Sequence, residues 1–305
     1  MKAVFARLPQ RVDARIRVFA IATLVAQILI VGTGGAVRLT GSGLGCPTWP
    51  RCTAESFVTT PEMGIHGIIE FGNRLLTFVL VAIAIIMFVL VLRIRRERRD
   101  LFVLSLLIGL YVPIQAIIGG ITVLTNLNPY VVGLHFLASV VLVALSAVLV
   151  YRVFVGPRGQ ALAVPGWYRA LAIVTAFLVA VTILVGILVT GSGPHAGDGG
   201  AARNGLDPEF LQHVHSWPAY ATFAATLALV VGAWRLRSRR LLALTVALFG
   251  VEGAQIVVGL AQANLGLPEI LVGIHMVLAC CLAAAMTAVV CALRESSPES
   301  AAPSA

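Results

Sequence analysis

Apolar runs of about 20 residues follow one another along almost the whole chain, each long enough to cross a hydrocarbon core of about 30 Å as a helix. No other feature constrains the fold as strongly. Lipid offers backbone N–H and C=O groups no partner, so only helices and closed barrels span it, and runs of this length are helices. Of 305 residues, 59% are hydrophobic and 11% charged, which lies outside the range of soluble domains. The reading is an all-α integral membrane protein with eight transmembrane helices, at about 18–37, 68–92, 101–124, 130–153, 168–190, 211–234, 241–262 and 269–292.

A net charge of +9 raises the possibility of a nucleic-acid partner, but the basic residues sit in short loops between the apolar runs. Lys2, Arg7, Arg11, Arg15 and Arg17 precede the first span, Arg93 to Arg99 follow the second, Arg152 and Arg158 the fourth, and Arg235 to Arg240 the sixth. The alternate loops hold few. This pattern sets orientation rather than partner, and it places both termini in the cytoplasm of a multi-pass protein with no nucleic-acid role. Residues 1–17 are basic and polar, and the apolar run behind them is too long for a signal h-region, so no cleavable signal is expected.

The chain also repeats itself. QAIIGGITVLTNLNPYVVGLH, from Gln115 to His135, returns as QIVVGLAQANLGLPEILVGIH from Gln255 to His275. Both copies open with Gln, carry Gly four residues on (Gly119, Gly259) and close with Val-Gly-x-His. Leu39-Thr-Gly-Ser-Gly ends span one, and Val189-Thr-Gly-Ser-Gly ends span five. Span two opens with Glu70-Phe71-Gly72-Asn73, and span six with Gln212-His213-Val214-His215. A self-similarity of this length marks duplicated structural units. It implies two four-helix bundles as parallel repeats: residues 1–153, a cytoplasmic linker 154–167, a second half 168–293, and a disordered Ser/Pro/Ala-rich tail 294–305.

Histidines at matching depth in both halves are the main pointer to chemistry. A single buried histidine reads as hydrogen-bonding glue between helices. His215 and His275, on the sixth and eighth spans of one bundle, also read as a bis-imidazole haem site. His213 points about 200° away from His215 around the helix and is expected at the membrane interface. Span two presents His66, Glu70, Asn73 and Thr77 as one polar stripe. Glu70 is either a buried structural partner of Arg74 or a proton-relay group. Cys46 and Cys52 flank a five-residue loop stretch, too few ligands for a structural zinc site and open to either a structural or a redox disulfide. Cys280, Cys281 and Cys291 read as small core residues, and His195 as an ordinary surface-loop residue.

At these residues the chain resembles the haem A synthases, membrane enzymes that oxidise haem O to haem A for terminal oxidases. The resemblance rests on the TGSG loop leading to the cysteine pair, IEFGNR, Q-x3-GG-x-TVL…LHF, VTGSGPHAGD and GLPEILVGIH, and covers nearly all eight spans. It implies haem B on His215 and His275 in the second half. It also implies oxidation of a ring methyl of haem O to a formyl in the first, with Glu70 and His135 as the site. The Cys46/Cys52 pair would then be redox-active, served by a thioredoxin-like partner, and the enzyme supplying haem O and an electron donor would be further partners. One departure stands out. The family's Glu-x-x-His-Arg is Glu-x-x-Asn-Arg here, with Asn73 in the ligand position, so His135 alone, or His66 with a shifted haem, would hold the iron. Two other function classes remain: a quinol-linked di-haem cytochrome, which should show matched bis-histidine pairs, and a parallel-repeat transporter, which should be colourless.

Overall fold

The computed structural model describes residues 7–296. Among the described residues, eight helices are long and apolar enough to cross a membrane. They are α1 (Ala14–Leu39), α2 (Gly64–Val91), α3 (Arg99–Leu124), α4 (Pro129–Val155), α5 (Gly166–Ser192), α6 (Pro208–Arg235), α7 (Arg239–Asn264) and α8 (Glu269–Ala292). Most begin a few residues before the apolar runs do, and in four of them a polar side chain caps the first turn. Asp13 accepts the Ile16 N–H at 3.1 Å, and Asp207 accepts those of Glu209 and Phe210, with Pro208 in the first helical turn. Asn128 and Ser238 cap α4 and α7 in the same way.

Helices α1 to α4 close one ring, with α1 against α2 and α4, and α3 between α2 and α4. Helices α5 to α8 close a second ring with the same neighbour order. The rings meet where α8 packs on α1 and α4, and where α5 packs on α4. Even backbone strain is duplicated: Leu127, between α3 and α4, and Leu267, between α7 and α8, both take left-handed φ, at 57° and 61°. Side chains with a Cβ rarely adopt that conformation, so its recurrence reflects the shared turn.

Apolar packing is concentrated at the arginine-rich end of each ring. In the first, Ile16, Met87, Leu101 and Leu149 are among the buried residues; in the second, Tyr168, Leu229, Ala233 and Leu241. A third cluster, including Val31, Val143, Val179 and Leu248, joins the rings. The outward faces are apolar too, with Leu29, Phe78, Phe177, Trp234 and Val257 exposed, as a bilayer solvent requires. The opposite end of each ring is left hollow.

One expectation needs correction, that of a tail disordered from residue 294. The linker holds a strand, β1 (Arg158–Leu162), and the first residues of the supposed disordered tail form β2 (Arg294–Ser296), antiparallel to it. Arg294 Nη1 also donates to the Gln160 carbonyl at 2.7 Å, so backbone pairing orders a stretch whose composition alone reads as disordered. Residues 297–305, the rest of that tail, and Lys2 lie outside the described residues.

Candidate functional site: a shared cavity with four facing positions

The hollow ends of the two rings form one cavity of about 1460 Å³, lined from both. Pockets that hold a single drug-sized ligand measure roughly 300–1,000 Å³, so this space exceeds one such pocket. On its walls lie His215 and His275 in the second ring, and Asn73, His135 and Glu70 in the first.

In the second ring the imidazoles of His215 (α6) and His275 (α8) face each other, ring centres 6.3 Å apart and planes at 73°. Two imidazoles bonded to opposite sides of one metal at about 2 Å each stand with centres roughly 6 Å apart, so the observed spacing fits. Both imidazoles lie against glycine backbone, where a Cβ would crowd them. A Cβ at Gly186 would sit 3.0 Å from His215 Cε1, and one at Gly259 3.2 Å from His275 Cε1. Gln255 reaches His275 from α7. With its amide nitrogen toward α8 it donates to Nδ1 at 2.8 Å and to the His275 carbonyl at 3.2 Å, and it accepts from the Ala279 N–H at 3.1 Å. A half-turn of the amide would instead accept from Nδ1–H and free Nε2 for a metal. His215 Nδ1 is buried without a partner. Two imidazoles, their spacing and the glycine beds therefore suit a planar macrocycle that supplies a metal's other four ligands.

The first ring repeats half of this. His135 (α4) rests on Gly119, where a Cβ would lie 3.2 Å from its Cε1, and its Nδ1 is likewise buried and unpartnered. Gln115, the counterpart of Gln255, donates to Ser139 Oγ at 2.5 Å and the His135 carbonyl at 3.3 Å, leaving the ring alone. Across from it, where the second ring has His215, Asn73 accepts from Thr33 Oγ1 on α1 at 2.8 Å. Metal coordination here has one imidazole to draw on.

One turn before Asn73, an ion pair on α2 fastens the loop between α1 and α2. Glu70 is 6% exposed and accepts from Arg74 Nε at 3.0 Å and Nη2 at 2.5 Å, and from the Cys46 N–H. Arg74 in turn donates to the carbonyls of Cys46 (3.1 Å), Thr48 (3.0 Å) and Arg51 (3.2 Å). Cys46 and Cys52 are joined in a disulfide. The loop they close lays the Trp49 indole on Gly120, where a Cβ would fall 2.3 Å from the ring. Both readings of Glu70 therefore keep a footing: it pairs with Arg74, and it stands on the cavity wall.

Against this geometry the family model for cytochrome oxidase assembly proteins, COX15-CtaA, matches residues 17–287. The chain belongs to the COX15-CtaA family. Among its relatives, a protein of Bacillus pumilus (strain SAFR-032) named "Heme A synthase" is 33% identical over 145 residues, 46% of this chain and 45% of that protein. One of Listeria welshimeri with the same name is 28% identical over 140 residues, 46% of each chain. Another, of Exiguobacterium sibiricum, is 27% identical over 163 residues, 52% of this chain and 54% of its own. The chain thus spans about half the length of the curated relatives it matches.

In this COX15-CtaA chain the residues singled out from sequence are not all gathered together. Glu70, Asn73, His135, His213, His215 and His275 line the cavity. His66 does not: it is exposed, bonds Ser42 Oγ through Nδ1 at 2.9 Å, and lines a separate outer pocket of about 610 Å³. His195 is no free loop residue. Its Nε2 lies 2.9 Å from the Leu267 carbonyl, and its own carbonyl accepts from Arg38 Nε at 2.7 Å. Sequence reasoning passed over Gln115, Gln255, Trp49 and Arg38 as site residues, although the two glutamines open both copies of the repeat.

Proposed function

We propose that this chain is a haem A synthase, oxidising a ring methyl of haem O through successive oxidations to a formyl group. The substrate would sit in the first ring (residues 1–153), and haem B between His215 and His275 in the second (168–293). The observation that carries the reading is the pair of facing imidazoles 6.3 Å apart on a cavity shared with Glu70 and His135. The names of the family's relatives point the same way.

Bound haem B would supply one-electron transfer. The protein's own residues do the rest. His215 and His275, seated on Gly186 and Gly259, would hold that group. His135 would give the substrate iron a ligand, and Asn73, bonded to Thr33, would offer it no imidazole. Glu70 stands on the first ring's wall as the proton-relay group, its charge balanced by Arg74. The Cys46–Cys52 loop and Trp49 cover that wall and exclude water. The cysteine pair is read as reversible and served by a thioredoxin-like partner. Further partners are the lipid bilayer, the enzyme that supplies haem O, and a one-electron donor. The arginine-rich end faces the cytoplasm of the plasma membrane. Asn73 counts against a matched di-haem carrier, which needs two equal bis-imidazole sites.

Expression with a source of haem O, followed by absorbance and pigment extraction, tests this. Wild type should yield haem A, and Glu70→Ala should accumulate haem O while keeping the bis-imidazole absorbance. A colourless protein, or one with haem B and no haem A, would overturn the reading.

A further inference from the structure

Helix α7 carries an acid at the middle of its span. Glu252 lies about 20 Å along the helix from Arg239 and about 18 Å from Asn264. It is 4% exposed and lines the cavity. Its Oε1 accepts from Thr226 Oγ1 on α6 at 2.8 Å, and its Oε2 is buried with no partner. Two turns further along α7, on the same face, Gly259 bears the imidazole of His275, which puts the carboxyl about 10 Å from that level. The other groups around it are uncharged. Helix α6 brings Thr222 and Thr226, α8 buries Cys280 in the adjoining cluster, and Thr245 precedes it on α7. The charged residues of the ring's other helices, Arg169, Glu209, Arg235 and Glu269, stand at span ends.

A purely structural bond to Thr226 would use one oxygen, and an amide or hydroxyl would serve. An acid with a second, unpartnered oxygen at mid-span is costly, and such residues usually mark proton or ion handling. Its counterpart in the first ring, three residues before Gln115, is the buried Val112. The acid therefore belongs to the ring with two facing imidazoles and not to its twin.

We propose that Glu252 takes up a proton when the metal site between His215 and His275 gains an electron, and releases it on reoxidation. This rests on the haem reading of that pair. In the oxidised state a ferric bis-imidazole porphyrin core carries one net positive charge, which opposes the Glu252 carboxylate across an apolar interior. A one-electron donor, dithionite in the test, reduces Fe(III) to Fe(II) and removes that charge. One proton from water then bonds to Oε2, and the interior stays neutral. Thr226 donates to Oε1 in both states, so the exchange needs no rearrangement of the helix pair.

Redox titration of the haem-loaded full-length protein across neutral pH tests this, with reduced-minus-oxidised infrared spectra in H2O and D2O alongside. The wild-type midpoint potential should fall as pH rises, and the infrared difference should hold a carboxylic C=O band that shifts in D2O. Glu252→Gln should flatten the pH dependence and lose the band with bis-imidazole absorbance unchanged, and Glu252→Asp should keep both. An unchanged slope in Glu252→Gln, or no carboxylic band in wild type, overturns the proton claim alone. If Glu252→Gln fails to load, the wild-type band and the Glu252→Asp slope decide it. Wild type without bis-imidazole absorbance overturns the haem reading and this inference with it.

Discussion

The two rings share a frame and differ at their facing positions. The second opposes imidazole to imidazole, with an amide from Gln255 on one of them. The first opposes an imidazole to Asn73, turns its glutamine aside, and sets Glu70, Arg74 and a disulfide loop over the gap. A metal with both axial positions filled by protein suits electron storage, whereas one with a single protein ligand keeps a place for reaction. On the proposed reading, a handful of side chains divides a duplicated scaffold between holding electrons and using them, with helices and turns left alone.

The comparison breaks most completely at His275. His275→Ala should abolish the bis-imidazole absorbance while the protein still inserts; a normal spectrum in both His275→Ala and His215→Ala would remove the basis for the division. Next is Glu70→Gln, which should cut haem A formation by about 10²–10⁴-fold, the usual worth of a proton-relay group, with the second ring's spectrum intact. Wild-type turnover in both Glu70→Gln and His135→Ala would move the active site to the other ring. Gln255→Leu should lower haem retention by about 10–100-fold, as loss of a ligand-orienting partner does, whereas Gln115→Leu should change retention little. Chromatographed protein assayed for bound haem distinguishes them. Asn73→His sharpens the contrast by making the rings alike: a second bis-imidazole signal should appear and haem A formation should fall. The smallest effect is expected from reducing the disulfide, which should free Cys46 and Cys52 to thiol reagents on intact cells and slow turnover less than Glu70→Gln. Labelling without reductant would show that the bond does not form.

Much of the frame was legible because lipid imposes one rule on every span: an apolar run of fixed length between polar ends. The caps at Asp13 and Asp207 account for the residues by which the runs understated the starts of α1 and α6. The facing histidines were legible through the repeat, which also named Gly259 beneath His275 and Gly119 beneath His135, but not Gly186 beneath His215. What depends on contacts between distant segments was not. The reach of Arg38 to the His195 carbonyl, the seat of Trp49 on Gly120 and the short β1–β2 pair leave no periodic trace. Glu252 was in plain view as an acid inside an apolar run, but a search guided by likeness between the halves overlooks a residue whose counterpart is Val112. The two glutamines look equivalent in sequence, and only the structure separates the one on an imidazole from the one on Ser139.

The twin TGSG loops have a mechanical consequence. The Gly43 N–H donates to the Gly197 carbonyl at 2.8 Å, and Arg38 spans the gap to the Thr190 and His195 carbonyls. The rings are thus lashed together at the rim, while the shared apolar cluster around Val143 and Leu248 glues them below. Repeats that alternate access rock against each other about a central site; a pair fastened at both ends behaves as a stiff chassis. Traffic of a large flat molecule would then run sideways, between helices of one ring and the lipid, rather than through any hinge between the two.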